Sequence, residues 1–531
     1  MEQAIRLLDD QSTRSETIGR GGGDDEEALT IQALQTRRSR WRTTGSKTLS
    51  VLRHLLPSYL HAQQRAVGEL HPTAYLDALR GYASVMVFIY HTFGLPNIWW
   101  LRLPIIRVVF DSGAGMVAIF FVISGYVLSY RMLKMIRTRQ AARLHDSLAS
   151  SIFRRFIRLY GSTGVATFIA AIMVTLRWYI PYGMTPRDTF FAQMWDWFLD
   201  FAASSNPFAN IDGWIHEGVF HTHYLDQMWT IPIEYRGSIV LFVFSTASSK
   251  LSTTARWVFL WIVVLLSYYW RAVYVAEFLL GMFVADLSLS RHPERLGPPP
   301  SLLPRLVPLP VPGFVPVPST ESEAAAATEG DIETEPETES QIDEKSQTLL
   351  AVRWRRSPAA TAAAAIASRV GWVMLLLLSL VLLGQPDRQH TPDLGATNGD
   401  FPWPYLIRLI PSYYGDAAYT FWLGIGAFLL VLSLDSCRML QLPFEWRFSQ
   451  YLGDLSFGIY AMHWPIYYGF YRTVVEPWRV VHLGNSHLAR IPGALLDAIL
   501  VLWAADYFTR LDRLVVRSAR WLQNKTFLKW E

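Results

Sequence analysis

The chain has 531 residues, of which 51% are hydrophobic, 14% aromatic and only 17% charged, with a formal net charge of +4 and one cysteine. So large an apolar share, gathered in repeated runs of roughly 20 residues, exceeds what soluble cores can use and predicts an all-α, polytopic transmembrane bundle of about ten spans. The basic residues crowd particular loops rather than one continuous face, which argues against a nucleic-acid partner, and the single Cys437 excludes an internal disulfide or a thiolate metal cluster.

Residues 1–71 form an N-terminal region that is polar, Arg-rich and without the apolar stretch of a cleavable signal; its first fifty residues are expected to be disordered, and 51–70 to hold a surface helix. The first membrane segment, 72–290, holds predicted spans at 76–98, 114–131, 159–180, 229–247, 256–270 and 272–289. A linker, 291–368, runs from a proline-rich part (Pro298 to Pro318) into an acidic part (Glu321 to Glu344) and is expected to be disordered. The second membrane segment, 369–512, holds spans at 369–384, 414–434, 451–471 and 491–509, and 513–531 is a basic tail.

Charge sets the expected orientation. Arg131, Lys134, Arg137, Arg139, Arg143, Arg154, Arg155 and Arg158 lie between spans two and three, whereas 181–228 contains only Arg187. Positive residues favour the cytoplasmic side. Both termini and 291–350 are therefore expected inside, and 181–228 and 385–413 outside.

Ionisable groups within spans are costly and mark candidate function. Arg80 and His91 share the first span; eleven steps of about 100° return them to one face, some 16 Å apart along the axis. Arg155 and Arg158 stand at the inner mouth of span three on neighbouring positions of a helical surface, and guanidinium forks suit phosphate oxygens. Glu234 lies in the opening turns of span four beside Pro232, and His463 lies within span nine. Each also has a plainer reading: Arg80 as a snorkelling topological charge, the arginine cluster as a topology signal, and the others as satisfied interior polar groups. The run from His216-Glu217 through His221 to His223 lacks the spacing that puts two histidines on one helix face, so no metal site is expected.

Taken in order, these segments resemble the acyltransferase-3 family of integral membrane acyltransferases. The resemblance rests on Tyr75 to His91 with its R-x10-H spacing, Phe120 to Tyr126, Arg155-x-x-Arg158, Trp229-Thr-Ile-x-x-Glu234, Phe278 to Gly281, and Leu452 to Pro465 with Tyr460 and His463. It spans about residues 72 to 512. Thr230 where the family commonly has Ser, and Tyr235-Arg236-Gly237 after the glutamate, make the chain similar to the fungal branch and leave the acceptor open.

The resemblance implies transfer of an acyl group, often acetyl, from cytosolic acyl-CoA to a hydroxyl of a carbohydrate, lipid or small molecule, with acyl-CoA as donor substrate and no permanently bound cofactor. In that scheme Arg80, Arg155 and Arg158 hold the CoA phosphates, the pantetheine arm runs up span one, and His91 is the general base with Glu234 as a candidate orienting carboxylate and His463 as the rival base. Two other classes remain: a proton-coupled transporter, in which buried His and Glu relay protons, though no repeat or paired broken helices are visible, and a catalytically silent membrane scaffold exposing 291–350 to partners.

Overall fold

A computed structural model describes residues 57–61, 70–93, 99–181, 183–207, 222–297, 358–386 and 401–527. The chain divides into Met1–Gly68, whose described part holds the short helix Ser58–His61, and Glu69–Glu531, to which everything below belongs. Most of the expected N-terminal disorder and of the acidic linker lies outside the described residues.

Among the described residues the structure is helical, with no strand beyond a single bridge between Thr222 and Leu225. The long helices are α1 Ala74–Phe93, α2 Gly113–Arg137, α3 Ala141–Thr175, α4 Phe190–Ser204, α5 Thr230–Ala247, α6 Thr253–Tyr269, α7 Val273–Arg291, α8 Pro358–Leu383, α9 Phe421–Ser436, α10 Arg447–Ile466 and α11 Ile491–Thr526. A helix stands at each predicted span. Six helical stretches are long and apolar enough to cross a membrane: Gly113–Arg137, Ala141–Thr175, Val273–Arg291, Ile366–Leu383, Ala417–Ser436 and Leu488–Thr526. Of the others, α6 is apolar but short, while α1, α5 and α10 carry the ionisable side chains.

Several boundaries differ from expectation for identifiable reasons. Helix α3 begins at Ala141 and runs 35 residues, about 52 Å, well beyond the roughly 30 Å of hydrocarbon, so its basic first half continues the span into the aqueous side. The region read as a basic tail is the continuation of α11 to Thr526, where Gln523 donates to Ser150 Oγ (2.9 Å). Helix α8 starts at Pro358, inside the predicted linker, because the alanine run that follows favours helix. Helix α4 falls in a stretch read simply as an outer loop.

Two close crossings set the architecture. Helices α1 and α10 meet where a Cβ on Gly81 would fall 2.5 Å from Gly453 N, and Ser84 donates across the seam to the Ser456 carbonyl (2.8 Å). Helices α2 and α7 meet through Gly125 and Gly281, where a Cβ on Gly281 would fall 2.7 Å from Tyr126 N. Small residues let membrane helices approach at backbone distance, gaining dispersion where no hydrophobic drive exists. α2 thus stands centrally, packed on α1, α5, α7 and α9.

Gly281→Val should therefore force α2 and α7 apart and lower stability by about 1–3 kcal/mol, read as a clear drop in Tm in detergent. Gly371→Ala, whose Cβ would meet open space, should leave Tm unchanged.

Candidate active site

Pro232 stands in the first turn of α5, where its missing N–H costs no helical bond, and Glu234 follows two residues later. The Glu234 carboxylate is held from two other helices. Arg155 Nη2 of α3 donates to Glu234 Oε1 at 2.7 Å, and Ser124 Oγ of α2 donates to the same oxygen at 3.3 Å. Arg155 Nε also donates to Ser238 Oγ, one turn along α5, at 3.2 Å. The Arg155 side chain is 8% exposed and Glu234 22%. This guanidinium is therefore committed to a carboxylate, whereas Arg158, one turn further along α3, lies at the surface of the cavities it lines.

Three adjoining cavities share Arg80 and Phe457. The first, about 710 Å³, is lined by Arg155, Arg158, Ser124, Glu234, Ser162 and Asp512 as well, and its size falls in the range of small-molecule sites. The second is more apolar and carries Phe120, Thr230 and Tyr460 beside Glu234. The third joins Arg158 to Asp77, Asp454 and Asp512. The structure thus brings Arg80, Arg155, Arg158 and Glu234 together. Arg80 is half-buried, with Asp77 3.9 Å away on the same helix.

His91 and His463 form a second group, and neither lines these three cavities. Their rings stack with centroids 5.4 Å apart and planes 21° from parallel, and Trp464 meets His91 edge-on at 4.8 Å. His463 is fully buried; its Nδ1 donates to the Ile459 carbonyl at 3.1 Å, which assigns the ring proton to Nδ1 and leaves the Nε2 lone pair with no hydrogen-bond partner among the described residues. His91 is partly exposed. Tyr460, one turn before His463 on α10, bonds to Thr230 Oγ1 (2.9 Å) and donates to the Gln227 carbonyl, fastening α10 to the start of α5 between the two groups. The Glu234 carboxylate, considered in the sequence as a partner for His91, is held by Arg155 and Ser124.

A family model for an acyltransferase domain matches residues 73–510. The chain belongs to the acyltransferase-3 family. Within that family of membrane acyltransferases it is similar to the O-acetyltransferase PaAT-1 of Phomopsis amygdali, 30% identical over 467 residues that cover 82% of this chain and 80% of that protein. It is also similar to acyltransferase R4 of a Phoma species (25% over 275 residues, 42% of this chain and 58% of that one) and to acyltransferase clz18 of Cochliobolus lunatus (24% over 227 residues, 32% and 48%). No solved structure matches the chain. The family and the apolar helices together make this acyltransferase-3 protein a multi-pass integral membrane protein.

Three cavity residues escaped sequence reading. Ser124 and Tyr460 sit inside matched motifs, but their roles depend on partners over a hundred positions away. Asp512 lies among the basic residues of α11, accepts from Ser162 Oγ and lines two cavities; an acid between Arg510 and Arg513 was the available signal. The His216 to His221 run lies outside the described residues.

Arg155→Ala should cost on the order of 3 kcal/mol, because it strands a carboxylate enclosed by three helices. Arg158→Ala should stay within about 0.5 kcal/mol of the parent. Thermal unfolding of both purified variants checks the contrast; equal losses would contradict it.

Proposed function

We propose that this acyltransferase moves an acyl group, in the first instance acetyl, from cytosolic acyl-CoA to a hydroxyl of a carbohydrate, lipid or small-molecule acceptor. The observation that carries the reading is the arrangement along α1: a cation-lined cavity at Arg80 and an imidazole stack at His91, separated by about 16 Å of helix. CoA separates its phosphates from its thioester by a pantetheine arm of comparable reach. Arg158 and Arg80 take the phosphates, and Arg155, spent on Glu234, shapes the cavity wall rather than gripping the donor.

His91 acts as general base. It accepts the acceptor's hydroxyl proton as the oxygen attacks the thioester carbonyl; the C–S bond then breaks, and the CoA thiolate takes the proton back from the imidazolium, giving ester and free CoA. Partial exposure favours His91, since a base must touch the acceptor, while the fully enclosed His463 keeps the stack in register. The open Nε2 lone pair favours His463 in the same role. In this reading the chain makes ten spans, the polar α1, α5 and α10 among them, with both termini and 291–350 in the cytoplasm and the acceptor approaching from the bilayer or the far side. Flux of a solute in proteoliposomes without CoA would favour a transporter instead.

Wild-type protein in detergent should consume acetyl-CoA in the presence of an extract from cells lacking the gene, and mass spectrometry should find one acceptor gaining an acetyl increment. His91→Ala should lower kcat by roughly 10² to 10⁴ with KM for acetyl-CoA little changed. Arg158→Ala should do the reverse, raising that KM about tenfold, with Lys recovering only part because it lacks the bidentate fork. A well-folded His91→Ala enzyme with normal kcat transfers the role to His463.

A further inference from the structure

Helix α4 has the polarity of a water-soluble surface helix turned inside out. The residues it turns outward are Phe190, Phe191, Ala192, Trp195, Phe198, Leu199, Ala202 and Ala203. All are apolar, and Phe191 is 83% exposed. They recur at the three- and four-residue spacing of one helical stripe. The polar residues face inward. Gln193 is buried, accepts from Arg187 N (2.7 Å) and donates to Tyr224 Oη (2.6 Å). Asp196 accepts from Tyr224 Oη (2.9 Å) and pairs with Arg187, and Asp200 accepts from His223 N (3.1 Å).

Its register against α3 gives its depth. Trp197 donates to Thr167 Oγ1 at 3.1 Å and stacks edge-on with Phe168 at 5.1 Å; four residues later Phe201 lies 3.0 Å from where a Cβ on Gly164 would sit. Advancing along α4 thus means retreating along α3, so the two run antiparallel. Phe201 lies opposite Gly164, eleven residues or about 16 Å inside the Thr175 end of the α3 helix. With the Thr175 end, two residues before Arg177, set at the edge of a hydrocarbon layer about 30 Å thick, the C-terminal end of α4 reaches close to mid-bilayer. The outward face adjoins the exposed Phe168 of α3, which meets Trp197.

We propose that Phe190–Ser204 is a re-entrant helix, its aromatic face against the acyl chains of the non-cytoplasmic leaflet and its acidic face closing the outer side of the bundle. A helix of 15 residues is too short to span but suits a re-entrant element, and non-helical backbone at this depth is tolerated where protein covers it. The inference rests on the membrane character of the protein and not on the catalytic reading, so it stands or falls separately.

In a Cys437→Ser background, single cysteines at Thr185, Phe191 and Phe198 of the full chain would be spin-labelled in phosphatidylcholine vesicles. Collision with dissolved oxygen and with an aqueous nickel chelate is then compared. Labels at 191 and 198 should favour oxygen over chelate several-fold more than the label at 185, with 198 the deeper. Equal chelate access at 198 and 185 would overturn the proposal. A second measurement needs no label: Phe198→Leu should fold in parental yield, while Phe198→Asp should lose yield several-fold, because it places a charge in hydrocarbon. Equal yields of the two would contradict immersion.

Discussion

A guanidinium or a carboxylate that enters the bilayer interior loses its hydration and must find its counter-charge within the protein. Here Arg155 of α3 and Glu234 of α5 satisfy each other at 2.7 Å, with Ser124 of α2 and Ser238 of α5 filling further hydrogen-bonding capacity. The pair ties three helices at one level. It also decides which arginines remain available: Arg155 is consumed, and Arg158 and Arg80 stay at the cavity. Pairing with like neighbours alone could not give that division, since the three cations would repel one another without the carboxylate among them.

The distribution of polarity among helices follows from the same constraint. The apolar helices α8 and α9 line none of the three cavities, whereas α1, α3, α5, α10 and α11 bring their charged groups to them and α1 and α10 carry the imidazoles. Backbone-level contact at Gly81 and Gly453 brings α1 and α10 near enough for His91 and His463 to stack. The π-helical segment Tyr467–Val475 after His463 continues α10 with an aromatic series, Trp464 to Tyr468 to Tyr467 to Tyr471 at ring separations of 4.9 to 5.4 Å.

Much of this was legible in the sequence because membrane spans announce themselves by length and hydropathy. A helix stands at each of the ten runs read, and six of the helical stretches are long and apolar enough to cross a membrane. Arg80, His91, Glu234 and His463 were visible as polar interruptions of those runs and Arg155 and Arg158 as a basic pair at the mouth of the third, and the structure gathers them into two neighbouring groups. What could not be read was partnership. Arg155 and Arg158 are equivalent by spacing on α3; only the approach of α5 distinguishes them. The stacking of His91 on His463 joins positions 372 apart, beyond any local pattern. Helix α4 was missed because 15 residues fall short of a spanning window, and its inverted polarity means nothing until its neighbours are known. The extended ends of α3 and α11 were read as loop and tail because charge density, sound as a topology signal, says little about whether a helix continues into water.

The central claim is that the arginine cavity recognises the phosphorylated end of the donor while a separate imidazole group performs the chemistry. The most direct test compares acetyl-CoA with S-acetyl-pantetheine, which keeps the thioester and arm but lacks the nucleotide and all phosphates, as donors to the same acceptor. The account predicts that the wild-type enzyme prefers acetyl-CoA strongly in kcat/KM, and that this preference collapses in the Arg80→Ala/Arg158→Ala protein while turnover of the truncated donor is kept. An undiminished preference in the double variant, in folded protein, would contradict it.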